Sequence, residues 1–234
     1  MRRLLALLAL VGAAFAAGAV PAGATNECRG LAVCVPVAGP WVVVPTGRSV
    51  PRPRVEYQLS CPRGYVVGGL DAELSDPAID IGFAGTLGSP VNPGITTSRV
   101  AVFFATYAGA SVFTPSFRPH IGCVPTAGSG GRVPTSVAAL PQSRPTVRRV
   151  RTVRIQPGRS RRVVQSCGAS EHLIAGSHAV GFYTATPPSE GLVAGLSAAQ
   201  AVRDDRVTVT VRAGKVLLGV PSVVQVTAVC AGGR

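Results

Sequence analysis

Gln58-Leu59-Ser60-Cys61-Pro62-Arg63-Gly64-Tyr65-Val66-Val67-Gly68-Gly69 has an imperfect second copy later in the chain, Gln165-Ser166-Cys167 followed by Glu171-His172-Leu173-Ile174-Ala175-Gly176. Each copy has a distant partner cysteine. Cys61 to Cys123 spans 62 positions and Cys167 to Cys230 spans 63. Other landmarks fall at the same offset. Arg99-Val100-Ala101-Val102 matches Arg206-Val207-Thr208-Val209, and Pro45-Thr46-Gly47-Arg48-Ser49 is echoed by Pro157-Gly158-Arg159-Ser160. The sequence therefore reads as an internal duplication, and that reading selects one pairing of the six cysteines: Cys61–Cys123, Cys167–Cys230, and the remaining Cys28–Cys34.

An even cysteine number belongs with an oxidising compartment, and the N-terminus agrees. Met1-Arg2-Arg3 is basic, Leu4 to Ala17 is apolar, and Ala22-Gly23-Ala24 supplies the small residues that precede signal cleavage. We expect residues 1–24 to be a signal peptide. The apolar run is too short and too broken by Gly12 and Gly18 for a spanning anchor. A twin-arginine signal lacks its preceding polar residue, and Asn26-Glu27 before Cys28 argues against a lipoprotein. The expected location is secreted, extracellular or associated with the cell wall.

The local pattern is that of strands. Trp41 to Val44 is a strand followed by a turn. Val55, Tyr57 and Leu59 alternate with Glu56, Gln58 and Ser60, as on a half-buried strand. Pro62-Arg63-Gly64 is a turn into Tyr65-Val66-Val67, and Gly68-Gly69 marks a bulge or a close backbone approach. Ser98 to Tyr107 and Phe117 to Val124 are further strands, and Gly195 to Arg203 is the one place outside the signal with a helical turn. With about six short strands per unit, the expected fold is all-β, two tandem antiparallel β-sandwiches, Ig-like or jelly-roll-like, each with one disulfide. The Trp expected between the cysteines of an immunoglobulin core is missing, because Trp41 precedes both. The expected boundaries are a leader at 25–40 with a small disulfide loop, a first sandwich at 41–125, a Gly/Pro/Ser linker at 126–143 and a second sandwich at 144–234. The Cys61-Pro62-Arg63-Gly64 turn followed by Gly68-Gly69 resembles a pattern in bacterial secreted proteins of unknown function. That resemblance implies an exported disulfide-bonded β-domain and transfers no functional residue.

The formal charge of +13 falls to +11 without Arg2 and Arg3, and Lys215 is the only lysine among 23 cations. Such a balance favours anionic neighbours. Arg144, Arg148, Arg149, Arg151, Arg154, Arg159, Arg161 and Arg162 crowd a stretch without an acid, and the interleaved Val147, Val150, Val153 and Ile155 make it a strand. These residues are the candidate anion site. The expected partner is an anionic cell-wall polymer or an acidic glycan, gripped by guanidinium groups. The run lacks the aromatic residues that would stack nucleic-acid bases. The competing reading is a row of arginines that protects an edge strand from aggregation.

Other chemistry is weaker. Asp71, Glu73, Asp76 and Asp80 hold four of the ten carboxylates and would suit Ca²⁺ or a glycosidase acid/base pair, but the second copy lacks them and a solvated loop is the plainer reading. His172 and His178 with Asp204 or Asp205 are a candidate metal set that a turn at Gly176 would break up. His120 has no duplicate. No nucleophile elbow or zinc-protease helix motif is present. The sequence calls for no cofactor and no enzyme activity. Its alternatives are a protein-interaction module using exposed strand edges, or a carbohydrate-active hydrolase built on the Asp71–Asp80 carboxylates.

Overall fold

A computed structural model describes residues 25–47, 49–84, 99–110, 114–126 and 146–232. The expected signal segment, nearly all of the expected linker, and Arg144 lie outside the described residues.

The fold is almost entirely antiparallel β. The strands are β1 (Val35–Ala38), β2 (Trp41–Val43), β3 (Arg54–Ser60), β4 (Tyr65–Leu74), β5 (Ile79–Ala84), β6 (Val100–Tyr107) and β7 (Ser116–Pro125). They continue as β8 (Thr146–Ile155), β9 (Ser160–Ser166), β10 (Glu171–Phe182), β11 (Leu196–Arg203), β12 (Arg206–Ala213) and β13 (Ser222–Gly232). Among the described residues there is one short α-helix, α1 (Glu190–Ala194), capped by the Ser189 hydroxyl, which accepts from the Leu192 amide.

A seven-stranded sheet runs through the whole molecule. From one end to the other it places β4, β7, the collinear pair β1 and β2, then β10, β13 and β8. Two three-stranded sheets, β3–β6–β5 and β9–β12–β11, pack against it. Their arrangement follows from strand alternation. Val42 and Val44 enter the core that holds Tyr57, Phe103, Phe117 and Ile121. Val43, between them, enters the core that holds Phe182, Val207, Val209 and Leu217. Likewise Ala179 of β10 belongs to the first core and Phe182 to the second. The two cores therefore lie on opposite faces of one sheet.

Each three-stranded sheet stands in the same relation to its part of the large sheet. A disulfide ties the end of β3 to β7 through Cys61–Cys123, and another ties the end of β9 to β13 through Cys167–Cys230. The β4–β7 and β10–β13 pairings both slip by one residue at matching places, between Val67 and Gly69 on β4 and between Leu173 and Ala175 on β10. Such bulges are local kinks in a ladder.

Three local expectations are corrected. Residues 196–203 form strand β11 rather than a helical turn, and the helix lies just before it. The alanine-rich run Leu196-Ser197-Ala198-Ala199-Gln200-Ala201 has good helix propensity, but full pairing with β12 overrides it. No turn interrupts β10 at Gly176, where a side chain would strike Val207. Finally, the arginine run is two strands rather than one. Pro157-Gly158 turns the chain, with φ of 70° at Gly158, so that β8 joins the large sheet and β9 joins a small one.

The two halves are also joined by side chains. Gln225 of β13 accepts from the Gln58 amide at 2.6 Å and donates to the Gln58 carbonyl at 3.0 Å, standing in for a neighbouring strand along β3. Its amide also reaches Thr152 Oγ1 at 2.9 Å. Burial, and then Tyr183 beside it, pushes the Tyr57 phenol well above its ordinary range. The leader, closed by Cys28–Cys34, lies on the uncovered face of β4 and β7. There a side chain at Gly69 or Gly122 would meet the Glu27 carbonyl.

Candidate anion-binding surface

The basic run divides by role. β8 pairs only with β13, so it is an end strand of the large sheet among the described residues. Arg148 projects to the face covered by β3 and its Nη1 lies 2.6 Å from Glu56 Oε2. Arg149 projects to the other face and donates through Nε and Nη2 to both Glu171 oxygens at 2.8 and 2.7 Å. That bidentate contact comes first, and the Gly168 amide at 2.7 Å second, in holding the Glu171 carboxyl at about 2, from the usual 4.5. These two arginines are each engaged with a carboxylate of the fold. Arg151, Arg154, Arg159, Arg161 and Arg162 are exposed.

Arg162 lies within a larger constellation. β12 alternates strictly: Val207, Val209 and Val211 are fully buried, which turns Arg206, Thr208, Thr210 and Arg212 outward. The ladders then place Arg162 opposite Thr210, Ser166 and Arg203 opposite Arg206, and Ser160 and Ser197 opposite Arg212. The outer face of β9–β12–β11 thus carries four arginines among hydroxyl groups. At its centre is a depression of about 360 Å³ lined by Arg162, Arg203, Arg206, Thr208, Thr210 and Asp204 at the rim. Among the described residues none of the four arginines is within ion-pair distance of a carboxylate. Arg203 and Arg206 face one another directly, and like charges directly opposite on a ladder are destabilising. The hairpin that sets this pair turns through Asp204 and Asp205, whose φ angles of 46° and 55° fit a two-residue type I′ turn. Asp205 is bound in turn to the Leu173 amide at 2.8 Å.

Counting contiguous arginines overlooks Arg203, Arg206 and Arg212. The signal that finds two of them is the period-two pattern Arg206-Val207-Thr208-Val209-Thr210-Val211-Arg212, which buries the valines and exposes everything else.

The acidic residues expected in a solvated loop instead sit on β4, the following turn and β5. Asp71 Oδ2 accepts from the Asn26 amide at 2.6 Å and so fastens the leader. Glu73 Oε1 is 2.9 Å from His120 Nε2. Asp76 caps the Ala78 amide at 2.8 Å and accepts from the Tyr107 hydroxyl at 3.0 Å. Asp80 lies on β5 opposite Thr106. Strand pairing spreads these carboxylates out, and three of them are engaged in holding the fold. His172 Nδ1 is 3.6 Å from Asp205, while His178 Nδ1 is 2.8 Å from Gln200 Oε1, so each histidine has its own partner. Among the described residues the one close grouping of metal-ligand types is Cys167, Glu171 and Cys230, and its sulfurs are joined in a disulfide.

A second hollow, of about 420 Å³, lies between the halves against Val43, Arg54, Val55, His178 and Gln200. Its cation is already committed, because Arg54 binds Glu56 at 2.7 Å and stacks 5.3 Å from the Phe104 ring. The chemistry suited to an anion therefore lies on the sheet face. Set beside protein-family models, curated proteins and solved structures, the chain matches none of them.

Proposed function

We propose that the chain is an exported, non-enzymatic β protein of the cell envelope or extracellular space that binds an anionic polymer along the outer face of β9–β12–β11. The ligand class is a phosphate-rich wall polymer or an acidic glycan. One observation carries this reading: four arginines without carboxylate partners share a flat, hydroxyl-bearing face. Extended strands space such groups along a line, as a repeating polyanion requires, and guanidinium forks suit phosphate and carboxylate alike. Arg151, Arg154, Arg159 and Arg161 extend the positive field beyond the face. Within this reading the chain is two tandem sandwich units from an internal duplication, each pinned by its own disulfide. The matching pairings and matching bulges of the two halves support it.

The test is co-sedimentation of the disulfide-bonded protein with purified cell wall at low and high salt. It is run beside Arg162→Ser/Arg203→Ser/Arg206→Ser and, as a control outside the face, Arg154→Ser. Binding should weaken steeply with salt, and the triple variant should lose most of it with a shallower salt dependence. Binding unaffected by both salt and the triple change would remove the arginine face from consideration. It would favour a second reading, a protein-interaction module, for which β8 and β4 offer strands that, among the described residues, are paired on one side.

A further inference from the structure

We infer that the end of the molecule formed by the β8–β9 turn, α1 and the segment after β12 is a docking surface for an anionic lipid bilayer. Three chain segments converge there. The Gly158 amide donates to the Gly214 carbonyl, the Ala213 amide to the Arg159 carbonyl, and the Gly214 amide to the Gly195 carbonyl. The 3₁₀ turn Lys215–Leu217 rests on this platform with Leu217 fully buried as its anchor.

With Leu217 pointing inward, its neighbours must point out. Val216 is 55% exposed and Leu218 is 71% exposed, two large aliphatic groups within three residues. The next residue, Gly219, has φ of 81°, which turns the chain sharply back toward the sheet and leaves Leu218 at the tip. Scattered exposed aliphatic residues are ordinary on any surface. This pair differs in its surroundings. Lys215 directly precedes the pair, the Arg159 carbonyl is bonded to the Ala213 amide, and Arg161 and Arg212 are exposed on the end of the β9–β12 ladder that leads into it, while Glu190 is the acid on the neighbouring helix. A small apolar tip at a cationic end of the molecule matches a bilayer interface, where aliphatic side chains enter the acyl boundary and cations meet anionic headgroups. A soluble polyanion would use the cations and leave the tip in water. The charge complementarity therefore points to a lipid surface as the occupant.

Arg212 belongs to both surfaces, but the aliphatic tip of Val216 and Leu218 belongs to this one, and substitutions there make the two readings separable. The full-length secreted protein is mixed with vesicles of phosphatidylcholine and of an equimolar phosphatidylcholine–phosphatidylglycerol mixture at physiological salt. Binding is expected to the mixed vesicles alone. Val216→Ser/Leu218→Ser should lower the partition coefficient about tenfold or more, with an unchanged melting temperature and unchanged cell-wall binding. Leu218→Trp supplies a direct readout, because the chain's single tryptophan, Trp41, is 3% exposed. Its emission should shift to the blue on the mixed vesicles. Equal binding by the double serine variant, unshifted emission from vesicle-bound Leu218→Trp, or no binding to the mixed vesicles would each overturn the inference. Loss of cell-wall binding alone, in Arg162→Ser/Arg203→Ser/Arg206→Ser, would leave it standing.

Discussion

Glu171 shows how one side chain can serve the fold and set its response to acid. Its carboxyl lies at about 2, from the usual 4.5, chiefly because Arg149 grips both oxygens. A depressed carboxylate adds stability that is complete above about pH 4.5 and disappears as pH falls through about 2. Thermal melts should therefore show Glu171→Gln less stable than the parent at neutral pH, with the gap closing between pH 4.5 and 2. A gap that stays constant over that window would mean that the pair adds nothing pH-dependent. Arg149 and Arg162 belong to one basic run, and their charge was plain in the sequence. Their division of labour was not, because Glu171 reaches Arg149 across β13 within the large sheet and Glu56 reaches Arg148 by packing of one sheet on another. The same limit hid Arg203, which comes to Arg206 through a hairpin turn and to Arg162 through the β9–β12 ladder.

Among the elements, a strand with clear alternation was legible: β3 from Val55, Tyr57 and Leu59. β11 was not, because Ala and Gln carry no strand period and the partner strand decides the outcome. The pair Gly68-Gly69 was read as a bulge or a close approach, and it is both. Gly69 and Gly122 make room for the leader's Glu27 carbonyl, and Asp71 fastens the neighbouring amide. Gly69→Ala should therefore lift the leader while the sheet stays paired. Hydrogen exchange would record faster exchange confined to about residues 25–34. Unchanged protection there would show that the leader accommodates a methyl group, contrary to the packing described.

In the molecule as a whole, the six cysteines pair as the spacing of the duplicated segments indicated. The sequence held no sign that one sheet would run through both halves. Pairing between β2 and β10 is two residues long and far apart in the chain, so no local pattern announces it. Gln225 reinforces that seam while 2% exposed. Gln225→Leu would leave the part-buried Gln58 amide and carbonyl without their partner, a loss of about 1 kcal/mol or more. Denaturant unfolding should show a lowered midpoint, and the two halves should begin to melt apart. A midpoint equal to that of the parent would mean that water replaces the amide without cost.

The three residues of β2 impose a strict rule on the chain. Val42 is addressed to one core and Val43 to the other, so the strand is read in a frame with two recipients. Inserting or deleting a single residue between Pro40 and Trp41 would misdeliver both side chains at once. A core substitution such as one at Phe103 damages one half, whereas a frame shift here would spoil both, although the chain that differs is only one residue longer or shorter. Natural length variation should therefore gather in the connections between strands and spare this seam.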